Sequence, residues 1–453
     1  MVKVISTYGP SLYDSKVLAQ VLAESDVVRL NLSHVSVADA VREYNLIAKH
    51  NKPVMLDTSG PEVRIRTQKA ITLKKGETLE IGRPGGAQPC FDQDMYSFLR
   101  IGNLLYVDDG LVEMEVVSRS KGMIGLEAHD NVTIKDRMSI NMKERTFNFP
   151  ILKKPDVEVL RSTAPSFVAL SFTRTARDVR EARKYTRAKI IAKIENWDGV
   201  RNINEIIREA DGVMIARGDL GVEVPAEEVP IIQKEIIDIA NQHAKPSIVA
   251  TQVLYSMINN PVPTRAEVSD IANAVLDGAD AILLSNETAV GKYPLNAVRA
   301  IKKVGRRIAP YVKTKINCTE HVKSLDPTSQ ILSNTIYSIA SNKEIDKIVV
   351  VTRGGYGAQV ISRFKLPKPL IAITTSQEVA AQMSLLYNVI PVMWTAMPKK
   401  HILPRAALFC LEHGLIEEKD TVVFTAAVRT QKKDIINLVE VHNIRDMMQN
   451  LEF

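Results

Sequence analysis

Cysteine is scarce in this chain. Its three thiols, Cys90, Cys318 and Cys410, lie far apart and match no metal-ligand spacing. The usage fits a reducing, cytoplasmic interior better than a disulfide framework. Aromatic side chains are also sparse, at 5 % of 453 residues. No apolar run approaches the ~18–20 residues that cross a bilayer, so no membrane anchor is expected. Met1-Val2-Lys3 runs straight into a strand-like segment, so no leader is expected either. Basic residues exceed acidic ones, 59 against 52, but they are scattered, with no long basic run and no aromatic-rich binding motif. Nucleic acid is accordingly not an expected partner. The surplus of positive charge fits a solvated surface or a cleft for anionic small molecules.

What the chain does have is a rhythm. "KVIST" precedes a helical pattern from about Asp14 to Glu24, "VVRLNLS" precedes one ending near His50, and "KPVMLDTSG" follows. Residues 62–149 then show alternating, turn-rich segments that read as β hairpins. The strand–helix alternation resumes at "FVALSFTR", "KIIAKIEN", "DGVMIARGDLG", "PSIVATQV" and "DAILLSNET", with helices expected near 176–185, 198–209, 227–243, 264–277 and 295–309. Eight repeats with near-continuous Val/Ile/Leu strands imply an α/β fold: a (β/α)8 TIM barrel with a β-rich lid domain inserted after strand 3. A polar, irregular stretch from 313 leads into a further α/β domain with helix 329–341 and strands at "KIVVVT", "PLIAITT", "VIPVMW" and "TVVFTA". The expected division is 1–61 with 150–312 for the barrel, 62–149 for the lid and 313–453 for the C-terminal domain.

Polar residues gather at the C-terminal ends of the strands, where such barrels carry their chemistry. They are Arg29, Asn31 and Ser33; Asp57 and Thr58; Ser171; Lys193 and Glu195; Arg217 and Asp219; Thr251; and Glu287. Lys193 and Glu195, two apart on a strand, face the same way. Glu195 and Asp219 follow neighbouring strands and could share one hard divalent cation, leaving its other positions to water and substrate oxygens. Arg29, Arg64, Lys193 and Arg217 would surround it with positive charge suited to a phosphorylated, carboxylated substrate. Plainer readings stand beside these. Lys193–Glu195 could be an internal ion pair, Arg217 could simply pair with a carboxylate, and His34 could be a helix-start residue. Asn31, Ser33, Asp57 and Thr58 could be helix caps, with Ser33 the best placed, or an oxygen-only pocket for a monovalent cation. Met214 and Met257 read as core.

The motifs "RLNLSH", "LDTSGPEVR", "YVDDGL", "KIENWDGVRNINEI", "DGVMIARGDLGVEVP" and "NNPVPTRAEVSDIANAVLDGADAILLSNETAVGKYP", with the triplet Ala250-Thr251-Gln252, stand in an order that closely resembles the pyruvate kinase family. The resemblance is strong over about 1–310 and weaker beyond. It implies phosphoryl transfer from phosphoenolpyruvate to ADP, giving pyruvate and ATP. It implies Mg²⁺ on Glu195 and Asp219, and catalysis by Lys193, Arg29 and Thr251. Substrate would contact Arg29, Ser171, Lys193, Gly218, Asp219 and Thr251. K⁺ would bind Asn31, Ser33, Asp57 and Thr58, and the nucleotide Asn31, His34 and Arg64. It further implies a cytoplasmic homotetramer.

Several positions depart from the family pattern. Glu62 is the type found in K⁺-requiring members, whereas Ile65 is of the K⁺-independent type. Met138 stands where a nucleotide-contacting lysine is expected, beside Arg137. Asn286 and Val35 each replace a usual glycine. The Gly-rich turn formed by Thr352, Arg353, Gly354, Gly355, Tyr356, Gly357 and Ala358 opens a helix and is a candidate phosphate loop for an allosteric effector, or a plain turn. An effector loop near "TAAVRTQKKDIINLVEV" is not evident. Two other readings are kept: a Mg²⁺-dependent aldolase or lyase on an enolate, against which the lid and "PTRAE" argue, and a basic regulatory or nucleic-acid-binding protein that retained the fold.

Overall fold

In the computed structural model the described residues are 1–108, 112–120, 122–142, 149–314, 316, 322, 324–397, 401–426 and 435–449. The end of "YVDDGL", most of the polar stretch after 313, and the centre of "TAAVRTQKKDIINLVEV" lie outside them.

Eight short strands close into a parallel barrel: β1 (Lys3–Thr7), β2 (Val27–Asn31), β3 (Val54–Asp57), β4 (Phe167–Leu170), β5 (Lys189–Ile194), β6 (Gly212–Ala216), β7 (Ser247–Ala250) and β8 (Ala281–Leu284). Each is buried nearly throughout, because helices cover the outside while side chains fill the inside. Ile5, Val27, Met55, Phe167, Ile191, Met214, Ile248 and Leu283 make that inner filling. Met257, the other methionine expected in the core, is 1 % exposed in the outer layer.

Local chemistry explains most of the helices. Asp14 caps Ser15–Glu24 by accepting from the backbone N–H groups of Lys16 and Val17. Thr264 and Glu267 form a capping box on Arg265–Asp277, and Gly278, at φ 94°, ends it. The segment read as one helix over 198–209 is two, Trp197–Arg201 and Ile203–Glu209, joined at Asn202. Ser33 is not the cap of the second helix. Ser36 holds that place for Val37–Ala48, accepting from the Asp39 N–H.

Between β3 and β4 the chain forms a seven-stranded sheet and a two-stranded one around their own hydrophobic core, including Ile65, Phe91, Leu105, Val116 and Leu126. A third body follows, with a five-stranded sheet of β9 (Lys347–Val351), β10 (Leu370–Thr374), β11 (Val389–Met393), β12 (Thr421–Ala426) and β13 (Leu438–Asn443) in the order β11-β10-β9-β12-β13. β13, antiparallel to β12, is an edge strand that the apolar pattern did not announce. Among the described residues no helix is long and apolar enough to cross a membrane.

The C-terminal body is seated on the barrel floor, the end opposite the polar strand tips. Leu385, fully buried, joins the inner barrel cluster. Beside it Lys365 pairs with Asp280 at 2.6 Å, both nearly inaccessible, and Asp280 also accepts from the N–H groups of Tyr387 and Ser247. Replacing Leu385 by alanine should leave a cavity across this junction and cost about 2–5 kcal/mol. A urea titration followed by tryptophan fluorescence would show the midpoint falling; an unchanged midpoint would mean that the leucine does not seal the barrel.

Candidate active site

The site is built on the strand tips. Lys193, on β5, is the centre. Its Nζ lies 2.8 Å from Glu195 Oε1 and 3.1 Å from Asp57 Oδ1, and it donates to Ser171 Oγ at 2.9 Å. Burial alone would strip its proton. The flanking carboxylates of Asp57 and Glu195 outweigh that and raise its affinity for the proton well above an ordinary lysine. Asp57, 1 % exposed, is shared, with Arg29 Nε donating to its other oxygen at 2.6 Å. Burial opposes its charge, but Lys193 and Arg29 prevail and hold it below the usual carboxylate range. Arg29 is steadied in turn by Thr7 Oγ1, a residue that the strand-tip pattern did not single out.

Glu195 has the opposite balance. Burial and the nearby Asp219 outweigh Lys193 and raise it to about 7. Its Oε2 accepts the Phe172 N–H at 2.6 Å, whereas Oε1, although close to Lys193, accepts no well-formed hydrogen bond. An inaccessible carboxylate with an unfilled oxygen and a second carboxylate beside it is a place for a cation. Among the described residues no three His, Cys, Asp or Glu side chains converge, so a metal here would take two protein carboxylates and fill its remaining positions from elsewhere.

"ARGDLG" runs from the last residue of β6 into the helix Arg217–Glu223, with Asp219 in its first turn. Gly218 donates its N–H to Thr251 Oγ1 at 2.7 Å, and a Cβ on Gly218 would come within 3.3 Å of that oxygen. Thr251 and Gln252 both carry positive φ, 68° and 52°, which is costly without glycine. Arg217 supports the bend by donating to the Thr251 and Gln252 carbonyls, and it pairs with Asp270 at 2.8 Å. Its charge thus serves the loop. Glu287 is likewise structural, accepting from the N–H groups of Leu254 and Ser285.

The oxygen-rich group after β2 and β3 is brought together by register, Asn31 opposite Asp57. Asn31 Oδ1 accepts the Ser33 N–H, and the Thr58 carbonyl accepts from Ser171 Oγ. The His34 side chain lies outside the described residues. Arg64 pairs with Glu62 at 2.7 Å and donates to the Arg137 carbonyl. These residues, with Lys135 and Asp136, line a cavity of about 520 Å³ formed by the inserted domain. Met138 also borders it but packs against the lid core, whereas the exposed Arg137 reaches across to donate to the Ser33 carbonyl at 3.0 Å. Arg137 therefore supplies the cation at this edge that Met138 does not. In the C-terminal body, the turn Thr352–Ala358 faces the barrel floor. Thr352 Oγ1 accepts the Gly355 N–H, and Gly354 and Gly355 border a cavity of about 40 Å³ with Phe167, Lys189 and Pro246.

Two family models cover the chain. Pyruvate kinase, barrel domain, matches residues 1–298, and pyruvate kinase, alpha/beta domain, matches 330–442. The chain belongs to the pyruvate kinase family. It is 35 % identical to the pyruvate kinase of Geobacillus stearothermophilus and 32 % identical to that of Sporosarcina psychrophila, each over 98 % of this chain and 81 % of the relative. Among solved structures, a pyruvate kinase from Cryptosporidium parvum superposes with a TM-score of 0.83 at 30 % identity, covering 97 % of this chain and 95 % of that one. Membership makes the chain a phosphotransferase that converts phosphoenolpyruvate and ADP to pyruvate and ATP.

Two buried carboxylates give a stability test. Glu195, at about 7, and Glu223, pushed by burial to about 8, both bind protons more tightly when folded than the ordinary 4.5. These two groups therefore contribute stability that is lost as pH rises from about 5 to about 8, while the buried Met1 amine, lowered to about 4, contributes in the opposite sense. Melting in divalent-free buffer should show the wild type losing stability relative to Glu195→Gln as pH rises from about 5 to about 7. A slope that Glu195→Gln leaves intact would exclude the raised carboxylate.

Proposed function

We propose that Lys193, Arg29 and Thr251 carry this phosphotransferase's chemistry at the strand tips. The supporting observation is an ammonium group fixed between Asp57 and Glu195, beside Ser171 and one residue from Arg29, at the open end of the barrel. Such a charge is in place before the reaction and needs no reorganisation as negative charge moves.

In this reading Arg29 and Lys193 bind the phosphate of phosphoenolpyruvate, and the Gly218 backbone with Thr251 orients its carboxylate end. Ser171 and Asp219 complete the substrate contacts. The bond between phosphorus and the enol oxygen breaks, a bond to a terminal phosphate oxygen of ADP forms, and the enolate left behind takes a proton at its methylene carbon, on the side where Thr251 lies. Asn31, His34 and Arg64 contact the nucleotide, and the lid excludes water so that ADP rather than water receives the phosphoryl group. Glu195 and Asp219 would hold Mg²⁺, which when bound neutralises charge on the substrate and phosphoryl oxygens. Asn31, Ser33, Asp57 and Thr58, an all-oxygen donor set, would hold K⁺. The reading includes the domain division 1–61 with 150–312, 62–149 and 313–453, supported by a hydrophobic cluster confined to 63–142 and by barrel and C-terminal clusters that meet only through Ala244, Leu385 and Tyr387. It also includes a cytoplasmic homotetramer.

The direct test is ATP formation from ADP and phosphoenolpyruvate with Mg²⁺. Lys193→Met should lower kcat by about 10²–10³ with the circular dichroism spectrum unchanged. Equal turnover would remove Lys193 from the mechanism. A second titration addresses the monovalent ion: activity should rise on adding K⁺ to K⁺-free enzyme, and a flat response would show that no such ion is needed.

A further inference from the structure

Phe172 stands apart at the strand tips because of its backbone. It follows Ser171 beyond the end of β4 and has a φ of 54°, a left-handed turn that is costly for a bulky side chain. The residues on either side are fixed. Ser171 Oγ donates to the Thr58 carbonyl at 2.7 Å, and Thr173 Oγ1 donates to the Leu170 carbonyl at 2.8 Å. In this turn the Phe172 N–H points at Glu195 Oε2, 2.6 Å away. Apart from the Lys193 ammonium beside Oε1, no other group among the described residues donates to this carboxylate.

The ring keeps the turn in place. It lies against Gly60, where an added Cβ would come within 2.7 Å of Phe172 Cδ2 and 2.8 Å of Ser171 Cβ. Gly60, with a φ of 62°, is the last turn before the inserted domain. Phe172 also borders a small cavity of about 40 Å³ with residues 61–63, where the chain enters that domain, and 140–142, close to where it leaves. The half-buried ring is thus seated at the junction of the inserted domain and the barrel. Glu195 is secured from its other side too, because Asn196 caps the following helix by accepting the Gly199 N–H at 2.7 Å. With the next residue pinned and Oε2 held by Phe172, Oε1 is the oxygen left for an incoming cation.

We propose that Phe172 is a positioning residue for the divalent cation: its ring, seated on Gly60, keeps the backbone in the turn that directs its N–H to Glu195 Oε2. The inference rests on reading Glu195 and Asp219 as the cation's ligands. It gives the strain at Phe172 a task, since a relaxed backbone would turn the N–H away from the carboxylate. Ligating carboxylates are commonly oriented by such outer hydrogen bonds, whose loss lowers metal affinity by about 10–100-fold.

Binding of Mn²⁺, a hard divalent cation visible by electron paramagnetic resonance, tests this on the full chain with phosphoenolpyruvate present and ADP omitted. Phe172→Ala should weaken Mn²⁺ binding at least roughly tenfold. Phe172→Gly should bind Mn²⁺ more tightly than Phe172→Ala, because glycine adopts positive φ without penalty. Loss of packing alone gives the opposite order, glycine being the more disruptive replacement where the backbone is relaxed. Gly60→Ala, whose Cβ would displace the ring, should weaken Mn²⁺ in the same way, and it carries the test should Phe172→Ala fail to fold. In the assay with ADP, Phe172→Ala should need more Mg²⁺ for half-maximal activity and recover its kcat at saturating Mg²⁺. The role of Phe172 is overturned if Phe172→Ala binds Mn²⁺ as the wild type does while Glu195→Gln does not, or if Phe172→Gly binds it no better than Phe172→Ala. Undiminished binding to Glu195→Gln, or none to the wild type, would instead remove the cation from Glu195 and the inference with it.

Discussion

The site depends on one buried ammonium. Lys193 is inaccessible yet charged, and it stays charged because Asp57 and Glu195 press against it from two strands. Removing a charge from water costs several kcal/mol, and only close opposite charges and hydrogen bonds recover it. The requirement propagates outward. Asp57 needs Arg29 on its second oxygen, Arg29 needs Thr7, and Glu195 needs the Phe172 N–H. The tips of β1 to β5 are thereby tied together by polar contacts.

The balance within that network is uneven, and the unevenness has chemical content. Asp57 has two cations and is a firm anion. Glu195 shares one cation and faces a second carboxylate, so it is a weak anion with an unfilled oxygen. Two carboxylates 138 positions apart in sequence thus flank the same lysine yet are tuned in opposite directions, Asp57 downward by a second cation and Glu195 upward by burial and Asp219. One becomes a structural counter-ion, and the other remains available to an incoming cation.

Much of this was legible before any coordinates, because the barrel repeats a simple rule eight times. Buried parallel strands must be apolar throughout, so polar residues at their tips stand out, and Lys193, Glu195, Asp57, Arg29 and Ser171 were all visible on that basis. What the pattern could not assign was which tip residues serve the loops. Arg217 and Glu287 look like site residues in sequence, and only their partners, Asp270 with the Thr251 carbonyl and the N–H groups of Leu254 and Ser285, reveal them as supports. Apart from Ser285, two residues from Glu287, those partners lie 33 to 53 residues away, beyond the reach of local spacing. The break at Asn202 and the edge strand β13 were missed for a related reason, since tertiary packing rather than propensity sets them. Arg137 was weighed only as a neighbour of Met138, and its reach to the Ser33 carbonyl follows from the way the lid folds over the barrel.

Leu385 gives the molecule an order of events. The barrel's inner layer draws eleven of its twelve cluster members from residues 5–283 and the twelfth from position 385. On the ribosome, where domains form as they emerge, all eight strands leave the exit tunnel about a hundred residues before the side chain that seals their floor. The nascent barrel therefore waits with one apolar end open. Its closure is coupled to synthesis of the C-terminal body, so a chain whose floor has sealed is one in which translation has already passed through β10.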